Sequence, residues 1–161
     1  MRILVVSDSH RSRSALDSVP SLCREERIDR IFHLGDMADD AEELALTCGV
    51  PVSSVPGNCD LFSFGMPQEV WESVAGGEYI LTHGHRYGVK GGLSALAAHV
   101  RQAGAKGAFF GHTHVPYFGT DGGIVLINPG SLREGSYCVV EADGSGLRPV
   151  FGDLRRGPRG D

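Results

Sequence analysis

The run Arg2-Ile-Leu-Val-Val-Ser-Asp-Ser-His10 decides the architecture of this 161-residue chain. Its apolar part is strand-sized and lacks polar alternation, so it reads as a strand buried on both faces, as in parallel sheets. Leu16, Val19, Pro20 and Cys23 follow at helical spacing, with Pro20 expected in a first turn or at a kink. Asp29-Arg-Ile-Phe-His-Leu34 is a second strand. The next helix carries Ala41, Leu44, Ala45 and Cys48 on one face, and Asp39 and Glu42 are spaced as its capping box. A third strand, Val52–Val55, ends at Pro56-Gly57. Such a βαβαβ run predicts a parallel sheet flanked by helices.

Beyond it, Cys59–Met66 reads as a loop, and Leu61, Phe62 and Phe64 there offer either a partner or oligomer face or ordinary packing. Two strands, Glu69–Val74 and Tyr79–Thr82, are joined at Gly76-Gly77. Leu93, Leu96, Ala97 and Val100 define a helix stopping at Gly104. After Ala108-Phe-Phe110 the pattern is strand and turn: Val115–Thr120, Ile124–Ile127, Tyr137–Glu141 and Leu147–Phe151, expected as antiparallel hairpins. Residues 1–151 form one domain, and 152–161, rich in Gly, Arg and Pro, are expected to be a flexible tail.

Composition narrows the function classes. With 15 basic and 20 acidic residues the net charge is −5, which argues against a surface tracking long nucleic acid. No apolar stretch reaches the length of a membrane span or a secretory segment. Cys23, Cys48, Cys59 and Cys138 have no framework spacing, so free thiols in a reducing cytoplasm are expected.

The positions of the polar residues carry most of the information. Five predicted strand ends read Ser7-Asp8-Ser9-His10, Gly35-Asp36, Gly57-Asn58-Cys59-Asp60, His83-Gly84-His85 and Gly111-His112-Thr113-His114. Ligands of open α/β sheets gather outside the carboxyl ends of strands, and here those ends deliver Asp8, Asp36, Asn58 and five of the seven His to one rim. Each piece alone is ordinary: an Asx-turn, a helix start, a turn Asn. Together, imidazoles and carboxylates crowded on one rim would be desolvated without partners unless a cation sat among them. Imidazole, carboxylate and amide oxygen without a thiolate set suit Mn, Fe, Zn, Co or Ni. The rim offers more ligands than one ion takes, so two ions sharing a carboxylate are the economical arrangement. His33, inside a strand, and His99, on a helix, are expected to be structural.

In this order the five motifs closely resemble the calcineurin-like metallophosphoesterase superfamily, and within it the short single-domain bacterial and archaeal phosphodiesterases. Asn128-Pro129-Gly130-Ser131 is similar to that subgroup too. The resemblance spans roughly Arg2 to Val150. It implies an α/β fold, a four-layer αββα sandwich of two mixed sheets, with a dinuclear metal site at the strand carboxyl ends. It implies that Asp8, His10 and His114 hold one divalent ion, that Asn58, His83 and His112 hold the other, and that Asp36 bridges them. Manganese is the expected metal, with Fe, Zn, Ni, Co or Mg also accommodated.

The implied activity is hydrolysis of small phosphodiesters by attack of metal-activated hydroxide at phosphorus, with Asp36, Asn58, His85 and Cys59 as the catalytic set. His85 stands as a neighbour of the phosphate. Cys59 occupies the place where many members carry a His that protonates the leaving group. Arg11, Arg13, Arg86 and Arg133 lie near the motifs as candidate phosphate clamps. The alternatives are a phosphomonoesterase, acting on a nucleotide or a phosphoprotein, and a non-catalytic scaffold like the retromer subunit of this fold. The expected partner is a small phosphodiester, with no long nucleic acid and no membrane, and a homo-oligomer is left open.

Overall fold

A computed structural model describes residues 1–60 and 65–156. Alternation explains its layering. In β1 (Arg2–Val6) Ile3 and Val5 point to one side and Leu4 and Val6 to the other, and all four are fully buried. One side of the sheet therefore packs on a second sheet and the other on helices.

The first sheet adds β2 (Arg30–His33) and β3 (Val52–Ser54), both in the parallel sense, beside β1. The crossovers are α1 (Arg13–Glu25) and α2 (Ala38–Cys48). The hairpin β9 (Ser136–Asp143) and β10 (Gly146–Asp153) completes it antiparallel on the other side of β1, giving the order β10-β9-β1-β2-β3. The second sheet starts with the hairpin β4 (Glu69–Val74) and β5 (Gly77–Thr82). The chain then passes through α3 (Ser94–Ala103) to β6 (Gly107–Phe109), and β7 (Tyr117–Asp121) and β8 (Ile124–Asn128) form a second hairpin. Its order is β4-β5-β6-β8-β7, with β5, β6 and β8 parallel.

Between the sheets lie Ile3, Val5, Phe32, Leu34, Tyr79, Leu81, Phe109 and Ile127, with the Phe32 and Phe109 rings edge to face at 5.2 Å. Leu4, Val6 and Ile31 meet Leu16, Val19 and Leu44 under the first two helices, while Ile80, Ala108 and Leu126 meet Leu96, Ala97 and Val100 under α3. This is the four-layer αββα sandwich of two mixed sheets. No helix of the described residues is long and apolar enough to cross a membrane.

Pro20 sits inside α1, not in its first turn. The structure departs from the sequence expectation in two places. Asp39 and Glu42 form no capping box: α2 begins at Ala38, two residues too early for Asp39 to cap it, and its first amides are taken by Asp60 instead. At the expected start of the tail, residue 152, the chain is still in β10, which continues to Asp153. There the Asp153 carboxylate accepts the amide and guanidinium of Arg155, and the Leu154 amide bonds to the Gly135 carbonyl. Residues 157–161 of the expected tail, and the apolar residues Leu61, Phe62 and Phe64, lie outside the described residues.

Candidate metal centre

All five strand ends open on the same edge of the sandwich, and their side chains form one connected set. Asp8 Oδ1 lies 3.2 Å from His114 Nε2, 3.9 Å from His10 Nε2 and 3.8 Å from His83 Nε2. Asp36 Oδ2 lies 3.5 Å from His10 Nε2 and 3.6 Å from His83 Nε2. His83 Nε2 in turn stands 3.0 Å from Asn58 Oδ1 and 3.1 Å from His112 Nδ1. All seven residues expected as ligands are thus linked through atoms that carry lone pairs. Asp8, His10, Asp36 and Asn58 come from the first sheet's loops, and His83, His112 and His114 from the second's.

The donor set fits divalent cations. The Leu34 carbonyl can only accept, so the 2.7 Å contact to His83 Nδ1 makes that nitrogen the donor. His83 Nε2 then turns its lone pair toward two carboxylate oxygens and an amide oxygen. Asp8 Oδ1 is buried without a hydrogen-bond donor, whereas Asp8 Oδ2 accepts from Ser7 Oγ at 2.8 Å and from the His112 amide at 3.1 Å. Acceptors converging on acceptors in a desolvated pocket are unfavourable until a cation sits among them.

Local backbone geometry explains the motif residues. Asp8, His10, Asp36, His112 and His114 have φ of 54°, 46°, 55°, 70° and 62°, the left-handed region that L residues rarely adopt. Five of the seven candidate ligands are therefore held in strained turns. The glycines that precede them serve close approach. A Cβ on Gly57 would lie 2.1 Å from Asp36 Oδ1, and one on Gly111 would lie 2.0 Å from Ser7 Oγ.

Electrostatics favour the lone-pair forms of Asp36 and His112. Burial works to raise the Asp36 carboxyl, but the Cys59 amide at 2.9 Å and the neighbouring His83 and His10 outweigh it and hold the group below its ordinary range. Burial, then His83 and Lys90, push the His112 imidazole down to about 4. Burial, His83 and Arg86 lower His85 as well; its ring centroid lies 5.4 Å from that of His83 and its Nδ1 is buried without a partner. The Cys59 side chain is exposed, and desolvation together with Asp36 pushes its thiol up. Cys59 also falls within 4.8 Å of a group with His10 and Asp36.

Sequence reasoning assigned no role to the supporting residues. Asp40, buried, accepts Ser9 Oγ at 2.6 Å and the Arg11 amide at 2.9 Å, fixing the turn that carries His10. Ser131 Oγ donates to the Asp8 carbonyl, and Asn128 Nδ2 donates to the Gly111 carbonyl and to Thr113 Oγ1. Asn128 and Ser131 stand out in the sequence through the Asn128-Pro129-Gly130-Ser131 segment alone, and Asp40 carries no local signal of its role. His33 Nε2 meets Ser9 Oγ at 3.0 Å, and His99 pairs with Glu69, so both histidines are structural. Arg13 is engaged by Asp17 and Glu43, and Arg11 lies 3.6 Å from Asp39. Arg86 and Arg133 are exposed on the turns His85–Tyr87 and Leu132–Glu134 at the rim. All four cysteines are unbridged.

Comparison with known proteins agrees with this geometry. The profile of the calcineurin-like phosphoesterase superfamily domain matches residues 1–145. The probable metallophosphoesterase YsnB of Bacillus subtilis (strain 168) is 32% identical over 133 residues, covering 83% of this chain and 76% of that protein. The crystal structure of a predicted phosphoesterase from Streptococcus pneumoniae TIGR4 superposes with a TM-score of 0.75 at 28% identity, over 96% of this chain and 90% of that one. Wild-type Vps29 of Entamoeba histolytica, complexed with zinc, gives a TM-score of 0.75 at 23% identity, over 96% and 99% of the two chains. A match through almost the whole sandwich, with every motif in place at its rim, leaves one assignment: this chain belongs to the calcineurin-like phosphoesterase superfamily.

Proposed function

We propose that the chain is a dinuclear metal-dependent phosphodiesterase acting on small phosphodiesters. The observation that carries this reading is the near-equal placing of Asp36 Oδ2 between His10 Nε2 and His83 Nε2, at 3.5 and 3.6 Å. Asp8 Oδ1 stands farther than Asp36 from the same two nitrogens, at 3.9 and 3.8 Å. Each side of Asp36 has its own supporting set, His114 on one, held close by Asp8 at 3.2 Å, and Asn58 and His112 on the other. A carboxylate so placed suits a bridge between two ions, with manganese the expected choice. Bound divalent cations supply Lewis acidity at the phosphoryl oxygens and lower the pKa of water.

The chain's own groups do the rest. The Leu34 carbonyl fixes the His83 tautomer so that Nε2 faces the site. His85, kept neutral beside His83 and His112, carries one ring N–H that can donate to a phosphate oxygen. Cys59, its thiol pushed up, stays protonated at neutral pH and is a weak donor to the leaving oxygen. A monoester dianion gains most from a strong acid there, so diesters and good leaving groups are favoured. Only α2 and β3 lie between Asp36 and Asn58, so no cap domain is inserted there. Among solved structures, one titled as a novel archaeal phosphodiesterase shares the fold, with a TM-score of 0.76 at 17% identity. Unbridged cysteines fit a cytoplasmic setting.

The Vps29 likeness favours a second reading, a binding scaffold. Since one Vps29 is described with zinc bound, metal content does not separate the two readings and turnover does. The test is a panel of aryl phosphodiesters, aryl monoesters and cyclic nucleotides against Mn, Ni, Co, Zn and Mg. Diester turnover ahead of monoester turnover supports the proposal. The reverse order promotes the phosphomonoesterase, and metal binding without turnover promotes the scaffold.

A further inference from the structure

We propose that Asp60 is the positioning residue of the metal centre: its carboxylate staples the loop presenting Asp36 to the loop presenting Asn58, and so sets how tightly the site holds its ions. This rests on the ligand roles proposed above for Asp36 and Asn58.

The Asp60 carboxylate is shared between two loops. Oδ1 accepts the amides of Met37 at 3.0 Å and Ala38 at 2.7 Å, and Oδ2 accepts the amide of Gly57 at 2.7 Å. Met37 and Ala38 follow Asp36 directly and open α2, while Gly57 directly precedes Asn58. One side chain therefore spans the two strand ends, and it does so through both oxygens. Its negative charge also suits the amino end of α2.

The staple acts where the backbone is strained. Asp36 and Met37 are consecutive non-glycine residues with φ of 55° and 75°, and such conformations persist only when their surroundings over-determine them. The Asp60 bonds to the next two amides supply that constraint. The second loop must also sit tightly, because Gly57 is packed against Asp36 and the Cys59 amide holds Asp36 Oδ1 at 2.9 Å. With Oδ1 fixed in this way, Oδ2 is left facing His10 and His83. If the two loops moved apart, the Cys59 bond would break and Asp36 would be free to rotate out of its shared position.

The experiment is manganese titration of chelator-treated Asp60→Ala and Asp60→Asn by calorimetry, with electron paramagnetic resonance to detect the exchange-coupled manganese pair. Circular dichroism first establishes that each variant is folded at the working temperature. Asp60→Asn keeps one acceptor oxygen but turns an NH2 group toward the Gly57 amide. Manganese affinity is expected to fall about 100-fold in Asp60→Ala and about tenfold in Asp60→Asn, the range found when partners of metal ligands are removed. The exchange-coupled signal at stoichiometric metal should weaken in the same order. A residue that only capped α2 would lower the melting temperature and leave both readouts unchanged in the folded protein. Wild-type manganese affinity in folded Asp60→Ala overturns the proposal. If that variant does not fold, wild-type affinity in Asp60→Asn does so. Both readouts are taken without substrate, so a wild-type chain that binds manganese but hydrolyses nothing counts against the proposed activity and not against Asp60.

Discussion

Asp36 Oδ1 fills the space that a side chain on Gly57 would need, since a Cβ there would lie 2.1 Å from it. The contact joins the second and third strand ends of the first sheet through a single missing methyl group. Gly57→Ala should therefore behave as a metal-site mutation although Gly57 has no side chain to offer. Manganese affinity and diester turnover are expected to fall at least tenfold, with the far-ultraviolet circular dichroism unchanged. Wild-type turnover in Gly57→Ala would show that Asp36 can leave Gly57 without cost.

Asp36→Ala should be the most damaging single change at the site. It removes the carboxylate oxygen that lies nearer to both His10 and His83 than Asp8 Oδ1 does, leaving two cations to repel each other without that shared carboxylate. Metal analysis is expected to find one ion or fewer per chain, with activity near background. Two retained ions with good turnover would show that Asp36 is not shared.

His114 gives a test of backbone strain. At an ordinary position alanine is more stable than glycine by about 0.5–1 kcal/mol. With φ of 62° at residue 114 the order should reverse, and His114→Gly should exceed His114→Ala by about 1 kcal/mol in the metal-free protein. Urea unfolding of the two variants in chelator measures the difference. The usual order would mean that this turn relaxes when metal is absent.

Acid stability should report on Asp153. Hydrogen bonds from Arg155, first from its side chain and then from its amide, pull the Asp153 carboxyl down to about 2. A carboxyl lowered on folding contributes stability that is full above its unfolded value, near 3.9, and is lost as pH falls toward 2. Asp153→Asn should therefore be less stable than wild type at pH 6, with the gap closing between about pH 4 and pH 2. A gap that stays constant down to pH 2 would mean that the carboxylate does not anchor β10.

Cys59 tests the preference for diesters. Cys59→His places a better acid beside the leaving oxygen and should raise monoester turnover relative to diester turnover. Cys59→Ser should change the diester rate less than about tenfold, or roughly 1.4 kcal/mol in barrier. Wild-type protein turning over aryl monoesters faster than aryl diesters would overturn this argument.

The sequence displays the rim well because parallel strands announce their ends: an apolar run stops, and the next residue is at the sheet's carboxyl edge. Asp8, Asp36, Asn58, His83 and His112 could all be placed that way. What stayed hidden depends on contacts between distant loops. Asp39 and Glu42 have capping-box spacing, yet the cap of α2 comes from Asp60, which local spacing does not connect to Ala38. Asp40, to which the sequence gives no role, is buried on the Ser9–Arg11 turn. The left-handed ligands were also unreadable, since aspartate and histidine do not announce positive φ as glycine does.

The division of the ligands between two sheets has a mechanical consequence. No strand of one sheet pairs with a strand of the other among the described residues, so the ladders do not lock their relative slide. What resists shear is the interlocking of side chains such as Phe32 with Phe109, while the site requires oxygens and nitrogens from both sheets to stay in register. Ions bridging the rim would act as a clasp across that seam, and their loss would loosen the sandwich along it first. A core substitution far from the rim, such as Phe109→Leu, should then be felt as faster metal release at temperatures where both sheets are still intact.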